Sequence, residues 1–207
     1  VPTGTINPAG TFALDANGVV LLTGGAGGVT GRVALELARR TGCHIELVGA
    51  TPDSLPDRRD ELSRHAASVR FHSLDVRDLQ AVSALVEDVY ARHGRLDGVV
   101  HGAGNPDDLP VDGDDPGSFA RIYRTKVDGA RALAASVRPD LGFFVVLGST
   151  TGPHGGPYRI GHAAAGDACA TLAHVWRTTL RGRILVAGWD PWADDPQAVP
   201  PLDPDTA

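Results

Sequence analysis

Six short apolar runs alternating with helical patterns are the strongest constraint on this chain. The runs are residues 19–22, 44–48, 69–74, 98–101, 143–147 and 184–187. After the first, Val29, Val33 and Leu37 recur four apart, on one face of a helix. A polar segment opening on Pro and Asp follows the second. Residues 79–91 carry Val82, Leu85 and Val89 at helical spacing, and residues 119–137 and 163–179 also read as helices. Strands and helices that alternate through short links build a parallel sheet with helices on both faces. The runs are continuously apolar rather than alternating, as expected of strands covered on both sides. The expected architecture is α/β, a single doubly wound parallel sheet.

The length of 207 residues suits one domain. Residues 17–192 form that domain in this reading. Residues 1–16 read as a Pro/Gly-punctuated linker, and residues 193–207 as a Pro- and Asp-rich tail. A net charge of −6 lacks the basic stripe of a nucleic-acid protein. No apolar run reaches the ~18 residues of a membrane span. The first residues lack a basic head followed by an apolar stretch, so no signal peptide is expected. The chain has no Met, and an excised piece of a longer polypeptide is the simplest expectation. Two cysteines, Cys43 and Cys169, make no disulfide framework, and a reducing cytoplasm is the expected setting. Of 19 basic residues only Lys126 is lysine, which marks it as a place that needs an ammonium rather than a guanidinium. A solvated helix position is the plainer reading.

Thr23-Gly24-Gly25-Ala26-Gly27-Gly28 follows the first strand and, with Val29, opens the first helix. Glycines there permit a tight turn and close backbone approach, and the helix N-terminus offers N–H donors to a pyrophosphate. A strand before and a helix after are the context that a Rossmann-like dinucleotide site requires. At the end of the second strand an acid favours NAD and a nearby Arg favours NADP. Gly49-Ala50-Thr51 is neither; Arg58 and Arg59 lie further on, either within reach of a 2′-phosphate or on a solvated helix face.

The glycine loop, then Leu74-Asp75-Val76-Arg77-Asp78, then His101-Gly102-Ala103-Gly104, resembles the short-chain dehydrogenase/reductase superfamily. Thr125-Lys126-Val127-Asp128-Gly129-Ala130, Leu147-Gly148-Ser149 and Gly188-Trp189-Asp190-Pro191-Trp192 narrow the resemblance to ketoreductase domains of type I polyketide synthases. The resemblance implies NADPH as cofactor, with Asp75 and Val76 at the adenine and Gly102, Ala103 and Gly104 along the cofactor. It implies Lys126 and Ser149 as catalytic residues. It also implies an acyl carrier protein and neighbouring synthase domains as partners.

The family's catalytic Tyr lies thirteen residues after the Ser, and that count from Ser149 reaches His162. His162-Ala163-Ala164-Ala165-Gly166 is similar to the family's Tyr-Ala-Ala-Ala-Asn, with His for Tyr and Gly for Asn. After Trp192 the family continues with a substrate-covering helix and a final strand, where this chain has Asp194-Asp195-Pro196.

The implied reaction reduces a 3-oxoacyl thioester to the 3-hydroxy form. An ammonium neighbour lowers the pKa of a phenol but disfavours an imidazolium, so the same Lys126 that helps Tyr hinders His162 as an acid. The expectation is an impaired or inactive reductase. The alternatives are a structural module of a megasynthase, and non-redox acid/base chemistry of the epimerase type through His162. Tyr158 is either a substitute phenol or a surface residue. His154, His162 and Asp167 lack metal-ligand spacing, so no metal is expected. His101 and Cys169 read as packing, the loop from Asp107 to Asp115 as solvated, and Trp176, Trp189 and Trp192 as core or interface anchors.

Overall fold

Val19, Val20, Leu21 and Leu22 are all fully buried, which requires cover on both faces of the strand they form. A computed structural model describes residues 14–25, 27–50, 56–104, 116–150, 152 and 160–189. The elements are β1 (Val19–Thr23), α1 (Gly28–Thr41), β2 (His44–Gly49), α2 (Pro56–Ser63), β3 (Ser68–Ser73), α3 (Leu79–His93), β4 (Gly98–His101), α4 (Pro116–Ser136), β5 (Phe143–Ser149), α5 (Ile160–Thr179) and β6 (Arg183–Trp189). All six strands are parallel, in the order β3-β2-β1-β4-β5-β6. The order reverses between β1 and β4, where such sheets open a crevice at the strands' carboxyl ends. The register aligns those ends: Thr23 pairs with Val48 and His101, and His101 pairs with Val146.

Alternate residues divide the core in two. Val20, Leu22, Ile45, Leu47 and Val100 pack with Ala34, Leu35 and Ala38 of α1 and Leu62 of α2. Val19, Leu21, Val99, Phe144 and Val146 pack with α3, α4 and α5 on the other face. Phe144 is fully buried with its ring 5.3 Å from that of Trp176. Trp189, by contrast, is 40% exposed.

The helix ends follow elementary capping chemistry. Asp78 Oδ1 accepts from the N–H groups of Gln80 and Ala81 at the start of α3. Helices α1 and α3 end on Gly42 (φ +70°) and Gly94 (φ +74°), whose N–H groups return to Ala38 and Tyr90 carbonyls.

Two features go beyond the sequence expectation. In α1 the buried stripe is Thr30, Gly31, Ala34, Leu35 and Ala38, and Val29, Val33 and Leu37 flank it half-buried. The helix lies so close to the sheet at its start that small residues face inward. In β2, Glu46 is fully buried within the apolar run. Arg92 Nη1 (2.9 Å), His93 Nε2 (2.8 Å) and His72 Nε2 (2.6 Å) donate to its carboxylate. These donors hold the carboxyl below its usual range, against the opposing effect of burial. No helix among the described residues is long and apolar enough to cross a membrane.

Ala26, Thr51, the Arg58 side chain, the acid-rich loop, His154, Tyr158, Trp192, most of the linker and the whole tail lie outside the described residues.

Candidate active site

The crevice begins at the glycine loop. Gly24 (φ +118°) and Gly25 (φ +74°) turn back toward β2, and both their N–H groups donate to the Val48 carbonyl, at 2.9 and 2.8 Å. A side chain on Gly24 would meet the backbone of Gly102 at 2.9 Å, so the loop touches β4's exit directly. At Gly25 and Gly28 (φ +53°) an added Cβ meets nothing within 4 Å. Among the described residues, the backbone at Gly25 and Gly28 therefore faces open space.

Helix α1 starts at Gly27 with no side-chain cap and no acid in its first turn. Its leading N–H groups and positive dipole end stay available, which suits a pyrophosphate. Gly24, Gly25, Gly27, Gly28 and Val29 thus fit the dinucleotide expected from the sequence.

The end of β2 is bare as well. An added Cβ on Gly49 would lie 2.9 Å from the Phe71 ring and 3.5 Å from Gly25 Cα. Neither an acid nor an arginine stands at Gly49 or Ala50, and Arg59 is exposed on α2. Asp75 is gripped by Arg77, whose Nε lies 2.9 Å from both carboxylate oxygens, and this contact holds the carboxyl below its usual range. Val76 beside it is buried against α4 at Gly129.

On the far side of the crevice, Lys126 Nζ donates to the Leu147 carbonyl of β5 at 2.9 Å. An added Cβ on Gly104 would lie 3.8 Å from the same nitrogen. Lys126 thus bridges β5 and the exit of β4. The residue is partly exposed but its ammonium is desolvated, which lowers its pKa to about 8. Ser149 ends β5, paired with Trp189 of β6.

His162 lies in the first turn of α5, and its Nε2 is buried. Gly161, Ala165 and Cys169 form the α5 stripe toward α4. An added Cβ on Gly161 would lie 3.1 Å from Ile122, and Cys169 Sγ is 4.0 Å from the Lys126 carbonyl. Lys126 is one turn beyond Ile122, so α5 meets it within its first turns. Gly166, one turn after His162, backs onto the segment that follows Ser149: its added Cβ would lie 3.2 Å from Gly152 Cα. Lys126 therefore lies between β5 and the exit of β4, Ser149 ends β5, and the start of α5, which carries His162, packs on α4 and on Gly152.

The family profile described as KR domain matches residues 18–194. This chain belongs to the KR domain family. Among curated relatives, the polyketide synthase GfsA of Streptomyces halstedii is 35% identical over 195 residues, 90% of this chain but 2% of that protein. Erythronolide synthase EryA2 of Saccharopolyspora erythraea is 34% identical over 186 residues, 87% of this chain and 5% of that protein. The chain thus spans a small fraction of these relatives' length. The crystal structure of a ketoreductase domain from the bacillaene assembly line superposes with a TM-score of 0.82 at 30% identity, covering 91% of this chain and 48% of that one.

Two features of this KR domain escaped the sequence reading. The Glu46 cluster draws partners from 26 to 47 positions away, which no local pattern reports. His101, which reads as a packing residue, bonds through both ring nitrogens, to Thr23 Oγ1 at 2.7 Å and to the Lys126 carbonyl at 2.9 Å. Its place between an apolar strand and a glycine exit was the available signal.

Proposed function

We propose that this KR domain binds NADPH along the glycine loop, within a polyketide synthase, and reduces a carrier-bound 3-oxoacyl thioester poorly or not at all. What supports the reading is a glycine turn at the start of α1 with no side-chain cap, on the same sheet edge as Lys126 and Ser149, together with His162 at the position where the family resemblance expects Tyr. NADPH supplies a hydride when bound. The chain's own task is then to hold the substrate carbonyl and deliver one proton to its oxygen.

Ser149 at the end of β5 offers a hydroxyl for that carbonyl. Lys126 supplies positive charge at the exit of β4. The proton falls to His162. In this reading a Lys126 ammonium beside the ring would oppose an imidazolium, and a neutral imidazole is a poor acid. General acid catalysis contributes about 10²–10⁴ in rate, so its loss alone suffices to silence the reduction. The acyl carrier protein and adjoining synthase domains are the proposed partners, on the strength of the relatives' assembly-line setting.

The test follows NADPH twice. Nicotinamide fluorescence reports binding, and its absorbance reports oxidation in the presence of a small 3-oxoacyl thioester. The reading expects saturable binding with little oxidation. Oxidation at an ordinary ketoreductase rate, abolished in Lys126→Ala, overturns the impaired site. Absence of binding overturns the cofactor assignment and leaves a structural module. Loss of deuterium from an α-labelled substrate without NADPH oxidation instead identifies His162 as a base.

A further inference from the structure

We propose that His101 is a positioning residue for Lys126, acting as a buried strut that ties α4 to the glycine loop through a one-way hydrogen-bond chain. The inference rests on the reading of Lys126 as a site residue. The direction of the chain follows from elementary donor chemistry. A carbonyl only accepts, so His101 Nε2 carries a hydrogen and donates to the Lys126 carbonyl at 2.9 Å. The ring is fully buried, and desolvation lowers its pKa to about 3, so Nδ1 is bare. That nitrogen accepts from the Thr23 hydroxyl at 2.7 Å. Thr23 Oγ1 in turn accepts from the Ala103 N–H at 3.3 Å. Every donor in the series has one acceptor, and reversing any link strands another.

The chain crosses three elements. Thr23 ends β1 just before the glycine loop, and His101 is its register partner on β4. Lys126 belongs to α4. Gly129, three residues further along α4, makes room for the strut: an added Cβ there would lie 2.9 Å from His101 Cε1 and 2.9 Å from Val76 Cγ2. Lys126 is thereby fixed at two ends, its carbonyl by β4 and its ammonium by the Leu147 carbonyl of β5 at 2.9 Å. A shift of the ring moves the backbone from which the lysine side chain departs. The ring of His101 therefore sets where the ammonium rests.

Lys126 is the sole lysine of the chain, so isotopic labelling of lysine gives one side-chain signal. In the wild-type domain its titration midpoint is expected near about 8. His101→Phe, Thr23→Val and Gly129→Ala are each expected to displace that signal and raise the midpoint. Thr23→Ser, which keeps the hydroxyl, is expected to leave both in place. Ala is the better helix former, so an effect of Gly129→Ala reports displacement of the His101 ring or of Val76 and not a weakened helix, and agreement with His101→Phe assigns it to the ring.

An unchanged lysine signal in folded His101→Phe and Gly129→Ala overturns the proposal. A second measurement needs no variant: ring nitrogen shifts of His101 are expected to show the Nε2-protonated, Nδ1-bare form throughout the range of about pH 5 to 8. The opposite tautomer, or a charged ring in that range, overturns it equally. Neither readout involves NADPH. Failure of NADPH binding defeats the functional reading and leaves these results standing.

Discussion

The cradle between β1 and α1 and the corner between β5 and α5 lie on one edge of the same sheet, yet their chemistry is specified differently. The cradle is a backbone object. Gly24 turns at φ +118° against the Gly102 backbone, and Gly25 and Gly28 hold open space above them. A side chain at Gly24 displaces the exit of β4. The corner is a side-chain object. His162 sits in the first turn of α5, and Gly166 lets the segment after Ser149 approach closely. The α5 stripe against α4 is Gly161, Ala165 and Cys169, so in the proposed reading the side chain at 162 can differ without altering that stripe. Binding surface made of backbone is thus tied to the fold, whereas a proton donor is replaceable without disturbing it.

The sharpest attempt to break this contrast is Gly24→Val. The β-branched side chain must adopt a conformation that L residues rarely take, against backbone atoms 2.9 and 3.1 Å away. NADPH affinity should fall by at least ~10²-fold, since ~3 kcal/mol of strain is two decades of affinity. Fluorescence titration checks it, and unchanged affinity would show that the loop does not depend on its backbone path.

An effect of comparable size lies away from the crevice. Glu46→Gln removes the charge that Arg92, His93 and His72 surround, and should destabilise the domain by about 3–5 kcal/mol. Its carboxyl is held below the usual 4.5, so its contribution is present above that pH and disappears as pH falls through the folded-state value. Denaturant melts measure the loss. NADPH affinity below the unfolding transition should not move, which separates fold from site.

Lys126→Met is smaller and opposite in sign. Lys126 releases its proton near about 8 when folded and at 10.5 in its ordinary state, so the unfolded chain binds the extra proton between these values. Stability from this group therefore rises with pH across that window, and its cost is greatest below about 8. Removing the charge should stabilise the domain at neutral pH by ~1–3 kcal/mol, with the margin shrinking toward pH 10.5. Cys169, pushed up to about 11, acts in the opposite sense over an overlapping window, so the informative quantity is the difference between variant and wild type. A variant that gains stability relative to wild type as pH rises contradicts the desolvated seat.

Much of this was legible in the sequence because it is local. The six apolar runs match the six strands, the helix pattern over 79–91 falls within α3, and that over 119–137 overruns α4 by one residue. The glycine loop was legible because Thr23 through Gly28 sit between a strand and a helix. Less visible was anything set by tertiary pairing. Spacing showed that Val29, Val33 and Leu37 share one face, and they pack against the core, but it did not show that Ala34 and Ala38 are the fully buried residues beside them. Glu46 breaks an apolar run for the sake of partners on β3 and α3. His101 reads as filler until its two ring nitrogens are assigned.

The proposed reading is that NADPH binds and that, of the two departures at His162 and Gly166, the lost proton donor at 162 is what limits reduction. The direct measurement is NADPH oxidation with a 3-oxoacyl thioester by wild type and by His162→Tyr under identical conditions. The account predicts similar NADPH affinity in both and a gain in turnover of about 10²–10⁴ on restoring the phenol. Equal turnover in the two proteins, or a loss in His162→Tyr with NADPH still bound, contradicts it.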